Sequence, residues 1–489
     1  LDSSNEAPVV NRPIIRLYGF VAVLFALLVA FTSRWTVFEA SSLRDNPLNH
    51  RTLLEQQRVE RGTILAADGT VLARSVRGPE GVYQRTYPTA GLFAHAIGYY
   101  YLEPDLGSSG LERYRNPDLS GQSASNLQSV LDQLQGKKPQ GDKVVTTLDP
   151  RAQQVAISSL GEREGAVVAL DPRSGAVTVM ASTPGYDPNA LRSLSAYKRI
   201  AGDVAGRPLI NRATQFGYAP GSSFKVVTAT AAIDTGAFTP NSTVSGRNNV
   251  LVSGVPLQND ENESFGEITL TEALARSVNT VWAQVAERLG KPTMARYMDR
   301  FGFDRKPQLD YPSEEMSTSG EYFAGRVIPP TSDRVDVGRM GVGQDKLEVV
   351  PLQMAEVAAA VANRGRLMAP HMTARIVDSE GRTVQSIAPR VQSVVMKPST
   401  AAAVTTMMEA VVKEGTGTGA QIQGVQVAGK TGTAETQIGT AINNVWFIAF
   451  APAVNPTVAI AVTIKGVPGY GGSVAAPVAK AVIERLLHD

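Results

Sequence analysis

APGSSFKVVTATAA, residues 219–232, sets a turn, Ala219-Pro220-Gly221, directly before a run of small and apolar residues. Pro and Gly punctuate regular structure, and the run from Val226 to Ala232 carries no charge that needs water. The stretch therefore predicts a buried helix starting at Ser222. Residues three apart share a helix face, which brings the Lys225 amine within reach of the Ser222 hydroxyl. A serine three positions before a lysine is expected about once by chance in a chain with 13 lysines. Ser195-Ala196-Tyr197-Lys198 fits as well, but it lies in a polar stretch beside Arg199 and reads as a solvated coincidence. Outward from Ser222, β-rich alternation is read at 166–170 and 176–180 and again at 445–450 and 458–462. Between them lie Ala-rich helical stretches at 225–235, 268–289, 349–363 and 400–413. Strands at both ends with helices in the middle predict an α+β domain over residues 146–489, its sheet assembled from the two ends.

The whole chain has 489 residues, more than one hydrophobic core usually supports, so two or three domains are expected. Residues 17–33, LYGFVAVLFALLVAFTS, are uncharged between Arg16 and Arg34 and precede Trp35. At about 1.5 Å per residue they cover roughly 25 Å, and snorkelling arginines and an interfacial Trp can complete a bilayer crossing. A buried core helix and a cleaved signal peptide are the rival readings, the first disfavoured by an all-round apolar run this near the N-terminus that ends in Arg-Trp. Phe38-Glu39-Ala40 makes a poor cleavage site, so an uncleaved anchor behind a tail of residues 1–16 is expected. Charge does not orient the segment, because Arg12 and Arg16 face Arg34 and Arg44. Residues 34–145 are polar and turn-rich. Asp68-Gly69 between Thr63-Ile64-Leu65 and Val71-Leu72-Ala73 predicts a hairpin in a small domain, and 119–142 reads as a connector.

Composition narrows the chemistry. With no cysteine, disulfides, thiol nucleophiles and zinc-thiolate sites are excluded. His50, His95, His371 and His488 are scattered, so no metal or cofactor is expected. Net charge is +2, from 47 basic against 45 acidic residues, which carries no sign of a nucleic-acid partner. What remains is Ser, Thr, Lys, Asn and carboxylate chemistry. Two further motifs use these residues. Ser277-Val278-Asn279 lies inside a probable helix, Leu270 to Leu289, where polar residues are tolerated if they face a site. Lys430-Thr431-Gly432-Thr433 ends the strand-like alternation Val425–Gly429, and Lys-Thr-Gly is expected only about 0.1 times by chance. Gly432 lets a ligand lie against strand backbone. A serine nucleophile needs a base, and no histidine is near any motif. Lys225 is the local candidate, provided burial and a second ammonium, Lys430, lower its affinity for a proton.

The three motifs, in this order, resemble the penicillin-recognising serine transferases. Arg61-Gly62-Thr63-Ile64, Asp68-Gly69-Thr70, Gly110-Leu111-Glu112, Gly141-Asp142 and Thr147-Leu148-Asp149 resemble the N-terminal pedestal of class B, monofunctional penicillin-binding proteins. Gly165 to Pro172, Gly343-Gln344, Trp446-Phe447, Gly471-Gly472 and Ala475-Ala476-Pro477 resemble their transpeptidase domain. The short pedestal is similar to that of actinobacterial members. The resemblance implies an α+β transpeptidase domain with an antiparallel sheet flanked by helices, a β-containing pedestal and one transmembrane helix. It implies acyl transfer in cell-wall synthesis: Ser222 attacks the penultimate D-Ala carbonyl of a peptidoglycan stem peptide, lipid-linked or on nascent glycan. Lys225 would be the base, Ser277 a proton relay to the leaving amine, and Asn279 a ligand of the substrate amide. Lys430, Thr431 and Thr433 would hold the terminal carboxylate beside Gly432, with the Ser222 and Thr433 N–H groups as oxyanion hole. β-Lactams would acylate Ser222. A separate membrane glycosyltransferase of the shape or division family is the implied partner, and the catalytic domain is expected outside the cell membrane. A D,D-carboxypeptidase and a non-catalytic β-lactam sensor or division scaffold are the alternatives. Val278, where class A β-lactamases have Asp, and the lack of a Glu-x-x-Leu-Asn run argue against a β-lactamase.

Overall fold

The computed structural model describes residues 11–34, 58–101, 107–121, 140–435 and 442–488. The chain divides into two units, Leu1–Arg58 and Val59–Asp489. The first contains the helix Asn11–Ser33, of which Pro13–Ser33 is apolar overall and has no buried residue. Its 21 residues rise about 32 Å, long and apolar enough to cross a membrane. The helix thus begins ahead of the expected 17–33 and takes in Arg16. Trp35, Arg44, the 38–40 cleavage candidate, residues 1–10 of the tail and 122–139 of the connector lie outside the described residues.

The second unit is built on a five-stranded antiparallel sheet in the order Ala428–Glu435, Ile442–Ala451, Val458–Pro468, Gly165–Leu170, Val177–Thr183. The two ends of the domain meet where Val462 pairs with Val167, as the distribution of strand patterns predicted. Successive side chains on a strand point to opposite faces. Trp446, Ile448 and Phe450 therefore enter one core while Val445, Phe447 and Ala449 enter another. With both faces covered, these strands read as continuous apolar runs rather than as alternation. Helices Pro150–Leu160 and Gly471–Leu487 close one face through Ala152, Ala156, Ala479 and Ile483. Helices Lys225–Asp234 and Pro351–Ala362 fill the other, and every residue of the latter is buried.

A second sheet of six strands runs Thr383–Ser386, Thr373–Val377, Lys143–Thr146, Ile64–Leu65, Val71–Arg77, Tyr83–Thr86. The predicted hairpin is its 64–77 part. Asp68 accepts from the Thr70 N–H, and Gly69 turns the chain at φ +88°. Two of its strands come from 373–386, deep in the later sequence. Beneath it, buried Glu112 accepts from Arg61 Nε at 2.7 Å and Arg85 Nε at 2.6 Å. The Arg61 guanidinium also lies 3.7 Å from the centre of the Tyr100 ring. Burial pushes the Glu112 carboxyl up, yet Arg85 and Arg61 together hold it below its ordinary value.

Candidate active site

Ser222 sits in a short 3-10 turn, Gly221–Phe224, and the α-helix proper begins at Lys225. The α-helix therefore starts three residues later than expected, because Gly221 takes φ +50° and the turn tightens before the α-helix can propagate. The turn is clamped from two sides. The Gly221 N–H donates to Gly343 O at 3.0 Å, and Trp446 Nε1 donates to Ala219 O at 2.9 Å. A Cβ on Gly221 would lie 2.5 Å from Thr433 O, and one on Gly432 would lie 2.5 Å from Pro220 O. Both glycines thus permit the serine turn and the strand Ala428–Glu435 to touch through backbone. Lys430-Thr431-Gly432-Thr433 lies within that strand, not after one. Polar and glycine residues in it break the alternation from which a strand is read.

The helix predicted over Leu270–Leu289 is broken at its middle. It runs Leu270–Ala275, stops, and restarts as Asn279–Phe301. Ser277 between them has φ +61°, a left-handed conformation uncommon for serine. The break turns the Ser277 carbonyl out of the helical ladder and onto Lys225, which donates to it at 2.6 Å. Lys225 Nζ also lies 2.6 Å from Asn279 Oδ1 and 3.3 Å from Ser277 Oγ. Lys430 Nζ reaches the same Ser277 Oγ at 2.9 Å, as well as Thr431 O at 3.0 Å. Ser277 therefore bridges the two lysines, and residues far apart in sequence converge on one hydroxyl. Ser222 Oγ makes no hydrogen bond among the described residues. The amine expected to face it is turned toward Ser277 and Asn279, the stronger acceptors.

Lys225 and Lys430 are both fully buried. Burial lowers the Lys225 pKa to about 7, with Asp260 pulling the other way. Burial also takes Lys430 well below its ordinary value, and the neighbouring Lys225 charge adds to the effect. Burial is thus the leading cause in each. The expected repulsion between the two falls on Lys430, whereas Lys225 is lowered by burial and not by the Lys430 charge. Thr431 Oγ1 and Thr416 Oγ1 are 2.6 Å apart, and Thr433 Oγ1 accepts from the Gly471 N–H at 3.3 Å.

Two groups were not singled out from sequence. Asn279 Nδ2 donates to Gln258 O at 3.1 Å and to Asp260 Oδ1 at 3.3 Å. Asn279 was expected to bind a substrate amide; both its amide hydrogens are engaged here, and its oxygen faces Lys225. The acidic run around Asp260 gives no sequence signal of this contact, since such runs ordinarily mark a solvated loop.

A family model for the penicillin binding protein transpeptidase domain matches residues 165–484, and one for the penicillin binding protein A dimerisation domain matches 61–144. The chain is 34% identical over 503 residues to the peptidoglycan D,D-transpeptidase PbpA of Mycobacterium tuberculosis, covering 98% of this chain and 99% of that one. It is 33% identical over 502 residues to PbpA of Mycolicibacterium smegmatis, with coverage of 98% and 99%. A solved penicillin G acyl-enzyme complex of penicillin-binding protein A from M. tuberculosis superimposes with TM-score 0.78 at 32% identity, covering 88% of this chain and 100% of that one.

Proposed function

The chain belongs to the penicillin-binding protein transpeptidase family, and we propose that it is a peptidoglycan D,D-transpeptidase working through a Ser222 acyl-enzyme. The observation that carries this reading is the convergence of two buried lysines on Ser277 Oγ, next to a serine turn held against strand backbone. Lys225, titrating about neutrality, can exist as a free amine and take the Ser222 proton as Oγ attacks the penultimate D-Ala carbonyl. The Ser222 and Thr433 N–H groups would receive the oxyanion. Collapse breaks the C–N bond, and the proton passes from Lys225 through Ser277 to the departing D-Ala amine. An amine of a second stem peptide then attacks the ester, returning Ser222 to its hydroxyl form. Lys430, with Thr431 and Thr433 beside Gly432, would hold the terminal carboxylate. That anion would restore the charge Lys430 loses to burial.

In this proposal residues 1–16 form a cytoplasmic tail, 17–33 the core of a single-pass anchor, 34–145 the pedestal and 146–489 the catalytic domain outside the cell membrane. The anchor and pedestal are where a membrane glycosyltransferase of the shape or division family would bind. Incubation with a labelled penicillin tests the reading: a covalent adduct of the intact chain is expected, and it disappears in Ser222→Ala. Labelling that survives the substitution overturns the assignment.

A further inference from the structure

We propose that Asp260 is a positioning residue for this reaction: through Asn279 it fixes the direction in which the Lys225 amine presents its lone pair. The inference rests on the acyl-enzyme reading above. A side-chain amide has two donor hydrogens and one acceptor oxygen. Both acceptors on the Nδ2 side of Asn279, Gln258 O and Asp260 Oδ1, can only accept. Rotating the amide by half a turn would set Oδ1 against those two oxygens and Nδ2 against the Lys225 amine. The outer pair therefore locks Oδ1 onto Lys225, at 2.6 Å.

The lock matters because a neutral amine has two hydrogens and one lone pair. Ser277 O is an obligatory acceptor for one hydrogen, and Asn279 Oδ1, once locked, is an obligatory acceptor for the other. The remaining position on nitrogen is the lone pair, free of both acceptors and left to receive a hydroxyl proton; the hydroxyl beside it in this structure is Ser277 Oγ, at 3.3 Å. With a flipped Asn279, the lone pair would instead be consumed by an amide N–H. Asp260 thus acts on the base as the outer carboxylate of a triad acts on its imidazole, with an asparagine amide as the intermediary.

Asp260 also acts by its charge. The charged groups facing Lys225 are Asp260 on the 258–263 loop and Lys430 on the strand Ala428–Glu435. The nearby charges on flanking elements have partners of their own: Arg276 pairs with Glu272, Arg339 with Asp336, and Glu287 accepts from the Ser253 N–H. Glu261 and Glu263 follow Asp260 on its exposed loop. Removing the Asp260 charge disfavours the protonated amine and moves the acid limb of the rate profile to lower pH.

Two substitutions in the full chain separate orientation from charge, read by single-turnover acylation with labelled penicillin across pH. Asp260→Asn keeps an acceptor oxygen: the plateau rate stays within about threefold, and the acid limb moves down by about half a pH unit. Asp260→Ala removes the acceptor, so its plateau falls about tenfold as well. Asp260→Glu restores the limb. Profiles of Asp260→Asn and Asp260→Ala that superimpose on the parent overturn the proposal. The Lys225 ε-methylene 13C resonance, assigned with Lys225→Arg, reports the amine without any acylation. A midpoint unmoved in Asp260→Asn overturns the inference while leaving the Ser222 reading intact; a parent chain that takes no label, with the midpoint still shifted in Asp260→Asn, overturns the Ser222 reading and leaves the Asp260 effect on the amine standing.

Discussion

Two buried polar clusters in this molecule are built to opposite ends. In the pedestal, Glu112 takes the Nε of both Arg61 and Arg85 at ordinary charge-assisted distances, with Asn116 accepting from Arg61 at 2.7 Å. Anion and cations are brought together, and Glu112 stays ionised despite full burial. In the catalytic cluster, Lys225 and Lys430 share one serine hydroxyl and are fully buried, with no carboxylate in direct ion-pair contact among the described residues. Here burial wins, and the lysines give up charge instead of finding it a partner. A paired buried charge holds chain segments together. An unpaired one becomes a group whose protonation can change within a reaction, which is what acid–base chemistry requires.

The largest expected effect breaks the catalytic side. Lys225→Met should lower the rate of penicillin acylation by about 10²–10⁴-fold, the usual reach of a general base. Stability should change by no more than about 1 kcal/mol, because relief of a buried amine offsets the hydrogen bonds lost. Urea unfolding alongside single-turnover kinetics checks both. A variant that keeps its rate would remove Lys225 from the mechanism. The pedestal counterpart is Glu112→Gln, which leaves two buried guanidinium groups short of their anion. It should cost about 3–5 kcal/mol of stability in urea unfolding, while the acylation rate per folded molecule stays near that of the parent.

The contrast also accounts for what could be read from the amino-acid order. The residues of the catalytic cluster were legible because each sits in a compact motif with a local reason: a Pro-Gly turn before an apolar helix, a polar pair in an apolar stretch, a glycine in a strand. The sheet strands were legible as apolar, strand-length stretches, but not in their patterning: alternation was expected, and two covered faces make them continuously apolar. The break at Ser277 was not, since helix-forming residues surround it on both sides and a left-handed serine is imposed by tertiary contact with Lys225. Propensity is a weak prior against such contacts. The Asp260–Asn279 contact and the Arg61–Glu112–Arg85 cluster share another obstacle. Their members come from separate loops and strands, and no periodicity connects an exposed acidic loop to an asparagine 19 residues on. Likewise, nothing local announces that Thr373–Val377 will pair with Lys143–Thr146.

The smallest effect sharpens the comparison by separating the clusters on the pH axis. Stability rises with pH wherever the unfolded chain binds more protons than the folded one. Glu112 is held below its ordinary 4.5 when folded, so its contribution is complete above that value and is lost as pH falls through the folded one. Lys225 is lowered from 10.5 to about 7, so between those values the unfolded chain holds the extra proton and stability climbs toward alkaline pH. One proton gives at most about 1.4 kcal/mol per pH unit. Urea midpoints measured from acid to pH 10 should therefore carry rising contributions in two windows, set against the fall from Glu321 and Glu356, which burial raises to about 8. Against the parent, Lys225→Met should reduce only the upper window, to the share that Lys430 supplies, and Glu112→Gln should remove only the lower. An upper window that persists in Lys225→Met at its full slope would mean that the buried amine of Lys225 keeps its proton through neutrality, and the two clusters would then differ in location but not in kind.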